Sequence, residues 1–261
     1  MIDYSFSFYD LEYFLLIFVR VSMFIYIAPF FSMTNTPRNV RVLLSIFISY
    51  ILYNVLTPAP AVITDSLIEL ALIVLKEAIT GLLIGLSANI CMSILNFAGT
   101  IADMETGLTM VQILDPATRQ NISITGGIYN YSFNLMMLAS GLYIYLLGAL
   151  KDTFTLIPIN GAIFNSEHLV NAMLTFLADY VLIGFRIMLP IFCAMLMLNA
   201  VLGIMAKVSP QMNMFAVGVQ LKIIVGLGVL FLTTGLLPHA ASFIYEEMQK
   251  MMVLFVKGMM G

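Results

Sequence analysis

The sequence predicts an all-α integral membrane or membrane-assembly protein of about six long hydrophobic helices. Three observations predict it. Of the 261 residues, 61% are hydrophobic and 10% are charged, whereas a soluble domain is ~45–50% apolar and ~25% charged. Mean hydropathy is +1.02. The apolar residues also gather into runs near ~17–25 residues, long enough to cross a bilayer as helices. Backbone groups find no water in hydrocarbon, so helix is the default for each run. A soluble globule could not cover its surface with so few charges. Disorder, collagen and coiled coil are excluded by the same composition.

The elements follow in order. The first helix is expected within 1–33, with its apolar run over 11–33 and Arg20 inside it. Asp3, Asp10 and Glu12 precede or open that run without a base. A signal peptide wants a positive n-region, so this helix is expected to be retained. Pro29 and Pro37 bracket a turn ending in Arg38 and Arg41. The second helix is expected over 40–56, closed by Pro58 and Pro60. The third covers 67–98, longer than one span needs. A central loop over 99–121 contains Asp115-Pro116. The fourth helix covers 122–150, followed by Pro158, Asn160 and Gly161. The fifth covers 169–206 and should break at Pro190, since proline removes an intrahelical hydrogen bond. After Ser209-Pro210 the sixth covers 215–237, and 238–261 is a C-terminal tail. No fixed-period repeat and no long linker divides the chain, which reads as one unit over 1–261.

Charge bounds the partners. Eleven Lys and Arg against fourteen Asp and Glu give −3. Without a basic surplus there is nothing to neutralise a phosphate backbone, so no nucleic acid is expected. Cys91 and Cys193 lie in apolar runs and read as small buried hydrophobes. Six simple spans with an outer N-terminus would put Arg38, Arg41, Arg119 and Lys207 inside and Lys151, Lys250 and Lys257 outside. That asymmetry is too small to set an orientation. It suggests that these helices are not all ordinary bilayer spans.

No enzyme is expected. The chain has no Cys-x-x-Cys, His-Glu-x-x-His, phosphate-binding or nucleophile-elbow motif. His168 and His239 sit near run boundaries and read as polar caps, so neither a metal nor another cofactor is expected. Charges inside apolar runs say more: Arg20, Lys76, Glu77, Arg186 and Lys222. A charge at mid-bilayer costs at least ~2.5–3.5 kcal/mol, so these should face protein or water and find partners. Asp103, Glu105 and Asp179 are nearby acids, and Asp179 shares a helical face with Arg186 two turns on. An ion path is one reading; salt bridges at helix or subunit contacts are the other, and the lack of an acid-rich series favours them.

Gly81-Leu-Leu-Ile-Gly85 permits close helix packing. Asn130, Asn134 and Asn199 read as inter-helix hydrogen-bonding groups. Methionine is frequent, at 20 residues, and fills irregular or adaptable contacts. The segment 107–116 is apolar, too short to span, and bounded by Asp103, Glu105 and Arg119. It reads equally as a re-entrant segment in a cavity or as a short interfacial helix.

Four motifs in order carry a resemblance. They are Arg20-Val-Ser with Ala28-Pro29-Phe30 and Pro37-Arg38-Asn-Val-Arg41; Glu105-Thr-Gly107-Leu-Thr-Met with Leu114-Asp115-Pro116; Asp152-Thr-Phe154-Thr-Leu-Ile-Pro158; and Pro210-Gln211-Met-Asn213-Met-Phe215. Together they resemble the R-type subunit of the flagellar and type III secretion export gate, the FliR family. Lys207 stands where that family often has arginine, and Leu142 where a histidine follows the glycine.

The resemblance implies a structural subunit at the flagellar basal body in the bacterial inner membrane. Its helices would be bent hairpins standing largely above the membrane plane, in a closed spiral with P-type and Q-type subunits. A B-type switch subunit and an A-type export subunit would bind it, and unfolded export substrates would pass its lumen. Gly107, Met110, Val111, Ile113, Leu114 and Pro116 would then form the plug, and Pro210, Gln211, Asn213 and Phe215 a signature turn. The alternative from another class is a small-solute secondary transporter or channel, which predicts inverted repeats and half-helices. An intramembrane enzyme would need a nucleophile and base that the sequence does not display.

Overall fold

A computed structural model of the chain describes residues 8–32, 36–56, 66–109, 123–209, 211 and 214–260. The described residues are almost entirely helical: α1 Phe8–Ile27, α2 Arg38–Leu56, α3 Leu67–Thr106, α4 Ile124–Ser140, α5 Leu142–Leu156, α6 Ser166–Val208, α7 Met214–Thr233 and α8 Leu237–Gly258. A 3-10 turn, Thr234–Leu236, joins α7 to α8. One isolated bridge, Ile163 with Met260, is the only extended pairing among the described residues.

The chain divides into two compact units. One comprises Met1–Ile90, Gly141–Phe176 and Glu247–Gly261; the other comprises Cys91–Ser140 and Leu177–Glu246. A search for linkers does not find this division, because no linker marks it. Helices α3, α6 and α8 each continue through a boundary.

In the first unit α1 buries one stripe: Tyr13, Leu16, Ile17, Arg20, Val21, Phe24 and Ile25, continued by Ala28 just past its end. The spacing is that of an amphipathic helix. Opposite it α3 presents Gly81 and Gly85. A Cβ at Gly81 would lie 2.2 Å from the Arg20 carbonyl oxygen, and one at Gly85 would lie 3.0 Å from that of Phe24. The glycine pair therefore lets the two backbones touch. Tyr13 and Phe14 of α1 meet the Tyr53 ring of α2, each at 6.1 Å between centroids. The connection after α5 is tied down by backbone bonds, with Ile163 N–H donating to Met259 (2.9 Å) and Asn165 N–H to Gly258 (3.0 Å).

In the second unit the continuing α3 buries Cys91, Leu95, Ala98 and Ala102. Ala102 packs with Ile191 and Met195 of α6, flanked by Val225 and Val229 of α7. The Phe97 ring lies 4.9 Å from that of Tyr180 and 6.0 Å from that of Phe185.

Four expectations change. The loop expected from residue 99 begins later, because α3 continues to Thr106. The fourth run is split at Gly141, whose left-handed backbone (φ 73) lies between the end of α4 and the start of α5. Helix α6 does not break at Pro190 but runs unbroken through it. Helices in apolar surroundings tolerate proline, since neighbouring groups can satisfy the freed backbone positions. The tail after residue 237 is helix α8, with Ile244, Met248, Met251, Met252 and Phe255 buried along one side.

By length and composition three stretches could each cross a membrane: Arg38–Leu56, Ser166–Val208 and Val217–Gly258. A fourth is possible if the bent pair α4 and α5 counts as one. The first and third runs of the six expected are not among them. Their apolar stripes, from Leu16 to Ile25 and from Ile84 to Ala98, are spent inside the protein.

Candidate functional site

Two clusters of polar side chains stand out from the apolar packing, one in each unit. In the second unit α3 ends at Gly107, whose φ of 81 is left-handed. Met110, Val111, Ile113, Leu114 and Pro116 lie outside the described residues. The flanks are described, and a carboxylate holds them together. Asp103 of α3 has 0% exposure. It accepts a hydrogen bond from Ser123 Oγ (2.7 Å), one from Thr125 N–H (3.2 Å) and one from the Thr125 hydroxyl. Ser123 Oγ in turn accepts from Gly126 N–H (2.8 Å). Asp103 thus satisfies one of the free N–H groups at the start of α4 from a neighbouring helix, where a negative charge also suits the helix dipole.

Beside this clasp the backbones nearly touch. A Cβ at Gly99 would lie 2.1 Å from the Gly126 nitrogen. One turn away Asn130 donates to Asn96 Oδ1 (2.6 Å). Sequence reasoning noted Asp103 only as an available acid and missed both glycines. The readable signal was Ser123-x-Thr125-Gly126, a helix-start pattern with a small residue on its face. Replacing Asp103 by Ala is expected to cost about 3 kcal/mol, because a buried N–H and two hydroxyls lose a charged acceptor. Pulse proteolysis of the membrane-embedded chain would register this as earlier cleavage between α3 and α4; an unchanged cleavage curve would show that the clasp carries no load.

In the first unit Arg20 Nε donates to Glu77 Oε2 at 2.6 Å, and both side chains have 0% exposure. Arg20 also donates to the Ile157 carbonyl (3.0 Å) and the Thr153 carbonyl (3.3 Å), and its guanidinium lies 4.3 Å from the Phe154 ring centroid. The other Glu77 oxygen accepts the N–H of Asn160 (3.0 Å), a residue held at φ 65. Lys76 donates to Asn160 Oδ1 (3.1 Å). The Asp152-x-Phe154-x-x-x-Pro158 element is thereby fixed to α1 and α3 by one ion pair. A planar guanidinium suits this place, since its fork can serve a carboxylate and two carbonyls at once.

The remaining expected residues are less enclosed. Within this chain Lys76, Asp179 and Lys222 are half-buried and Arg186 is exposed. Long side chains can lay their stems on apolar surface and keep the charge outside. Arg186 stands 5.1 Å over the Phe243 ring. Gln211 is exposed in the turn between α6 and α7, and Phe215 lies in the first turn of α7. Pro210 and Asn213 fall outside the described residues. The clusters on Arg20 and Asp103 each hold helices together.

The family model for bacterial export proteins, family 1, matches residues 11–248. The chain belongs to this family. Among its relatives, the flagellar biosynthetic protein FliR of Escherichia coli (strain K12) is 29% identical over 228 residues, 86% of this chain and 84% of its own length. The FliR of Bacillus subtilis (strain 168) is 26% identical, over 92% of this chain and 95% of its own length. That of Aquifex aeolicus (strain VF5) is 26% identical, over 93% of each. The resemblance to the FliR family read from four motifs therefore extends over most of the chain. Both polar clusters lie inside the stretch matched by the bacterial export family.

Proposed function

We propose that this chain is a structural subunit of the flagellar-type protein export gate, and that its segment 107–116 plugs the channel through which unfolded substrates leave. Membership of the bacterial export family makes the chain a component of a flagellar export apparatus. The observation that carries the finer reading is the Asp103 clasp. It pins Ser123 and Thr125 beside the last turn of α3, so the described flanks of the apolar segment are held at one fixed base. Such a segment can stop a channel without taking the frame with it. Each apolar side chain it buries contributes only about 1.5–3 kcal/mol, which a passing substrate can replace with its own contacts.

In this reading the chain is not an enzyme. It assembles in the inner membrane with P-type and Q-type subunits, with the B-type switch subunit against it and the A-type subunit beneath. Deleting residues 110–114 is expected to leave assembly intact and to make cells leaky to small ions or dyes. The measurement is dye or ion flux in cells carrying the wild-type or shortened gate. Normal assembly without a rise in flux would remove the plug. A second expected outcome concerns the partners. The apolar faces of α2, α6 and α7 are left exposed, with Leu43, Phe47, Leu182, Phe231 and Leu232 among them. The chain expressed alone should aggregate or be degraded, and co-expression with P-type and Q-type subunits should rescue it. A monodisperse monomer, stable to heat in detergent, would count against that.

A further inference from the structure

Asp152 opens the Asp152-x-Phe154-x-x-x-Pro158 element, yet the ion pair that fixes this element has no use for it. Phe154 is buried against the Arg20 guanidinium. Side chains two positions apart on a helix point to nearly opposite sides, and Asp152 is exposed. It lines a cavity of about 480 Å³ in the first unit, walled by α5 and the end of α8. Lys257 of α8 lines the same cavity and is exposed as well. Neither side chain makes an ion pair or a hydrogen bond with any described residue.

The walls have the form of a helix seat. On α5 the lining residues recur at steps of three and four from Tyr145 to Leu156. On α8 they do the same from Gln249 to Lys257, with Met260 just past its end. Each set is one face of its helix, and at 1.5 Å per residue the α5 face is roughly 17 Å long. Leu156, Val253 and Met260 on these walls are about half exposed. Gly148 lines the cavity too, and a Cβ built on it would meet nothing within 4 Å. Apolar walls with open space over a residue that has no side chain admit the ridge of a third helix.

We propose that this groove seats a helix of a neighbouring gate subunit, with an apolar stripe of about three turns, a base opposite Asp152 and an acid opposite Lys257. The two charges choose among occupants. A substrate passing through unfolded offers no fixed charges to two fixed sites. An acyl chain would lie against the Asp152 carboxylate, which has Ala149 and Leu156 about a turn away on either side, and would leave it without a partner. A helix with charges at fixed positions answers both. The inference rests on the reading of the chain as a gate subunit. It does not rest on the plug, since the groove includes none of residues 107–116.

The test uses the full chain co-expressed with P-type and Q-type subunits, with the photo-cross-linker benzoyl-phenylalanine in place of Val253. Membranes are irradiated, and the adducts on the purified gate are located by mass spectrometry. The expected adduct is with another subunit of the gate, at positions three or four residues apart. Asp152→Lys should lower its yield about tenfold, because like charges would face each other across a closed contact. Asp152→Asn should fall between, and reversing the facing base on the cross-linked helix should restore the yield of Asp152→Lys. Gly148→Leu fills the open space and should lower the yield as much, while limited proteolysis of the 157–165 connection stays at the wild-type rate. That rate separates a blocked seat from a lost fold. Adducts with lipid, with a second copy of this chain or with exported protein overturn the proposal, as does a yield that neither Asp152→Lys nor Gly148→Leu changes. An assembled gate without the adduct removes this inference alone. A chain that never co-purifies with P-type and Q-type subunits removes the gate reading, and this inference with it.

Discussion

Glu77→Ala is expected to destabilise the first unit by about 3–5 kcal/mol, because it leaves Arg20 charged, buried and unpaired. Total stabilities of domains are only ~5–15 kcal/mol, so most molecules should fail to reach the assembled state. The geometry predicts more than the lost ion pair. Glu77 also accepts the N–H of Asn160, and Arg20 caps the carbonyls of Thr153 and Ile157. The connection from α5 to α6 should therefore loosen together with α1. A graded series separates these contributions. Arg20→Lys keeps the charge but loses the fork, and should fall between wild type and Glu77→Ala. Arg20→Met combined with Glu77→Met removes both charges, and buried pairs replaced by apolar residues are often neutral. Here it should recover only part of the loss, because one N–H and two carbonyls remain without partners. The measurement is the amount of chain recovered in the membrane assembly, with limited proteolysis of the 157–165 connection. If Glu77→Ala assembles like wild type, the pair is dispensable.

Gly99→Ala should be as damaging, for a reason that involves no charge. Its Cβ would lie 2.1 Å from the Gly126 nitrogen and 2.2 Å from the Gly126 Cα. Ordinary carbon contacts lie near 3.5–4.0 Å, so α3 and α4 would have to part by roughly 1 Å or more. The obstacle is backbone, which cannot swing aside as a side chain can. Separation would also pull Asp103 from Ser123 and Thr125 and cost the clasp its hydrogen bonds. Gly81→Ala meets the Arg20 carbonyl in the same way in the first unit, at 2.2 Å. Gly127→Ala and Gly203→Ala are the controls. Their new methyl groups would meet nothing within 4 Å, and each should gain up to about 1 kcal/mol of helix propensity. The readout is steady-state level in the membrane fraction. Equal levels for Gly99→Ala and Gly127→Ala would mean that the two helices do not approach so closely.

The parts of this architecture that could be read in advance are those where one residue type has one physical meaning. Apolar runs of bilayer length gave helices, and the Gly81-to-Gly85 spacing announced a close crossing. Arg20 and Glu77 were conspicuous as charges in apolar runs, yet their spacing of 57 positions does not make them partners. Pairing is a property of tertiary packing, and α1, α3 and α5 all had to be placed first. Asp103 escaped for a related reason. A carboxylate near a polar interval looks solvated until Ser123 and Thr125 fold back over it. Pro190 misled because a local rule was applied where the surroundings decide. Helix α8 was passed over because Glu246, Glu247 and Lys250 dilute its apolar stripe below the level of a spanning run, while its period remains helical.

The methionines carry a chemical consequence. Met137, Met188, Met195, Met248, Met251 and Met259 are at most 1% exposed, so much of the interior is lined with thioether sulfur. An oxidant that reached one of them would convert a pliable apolar side chain into a polar sulfoxide with no partner at hand. The folded protein guards these sulfurs by packing alone. A newly made chain waiting in the membrane for its helices to close has no such guard, and a sulfoxide acquired then would be sealed into the interior, or would keep it from sealing. Reductase repair must therefore come before packing, since a sulfur that is closed to the oxidant is closed to the repair enzyme as well.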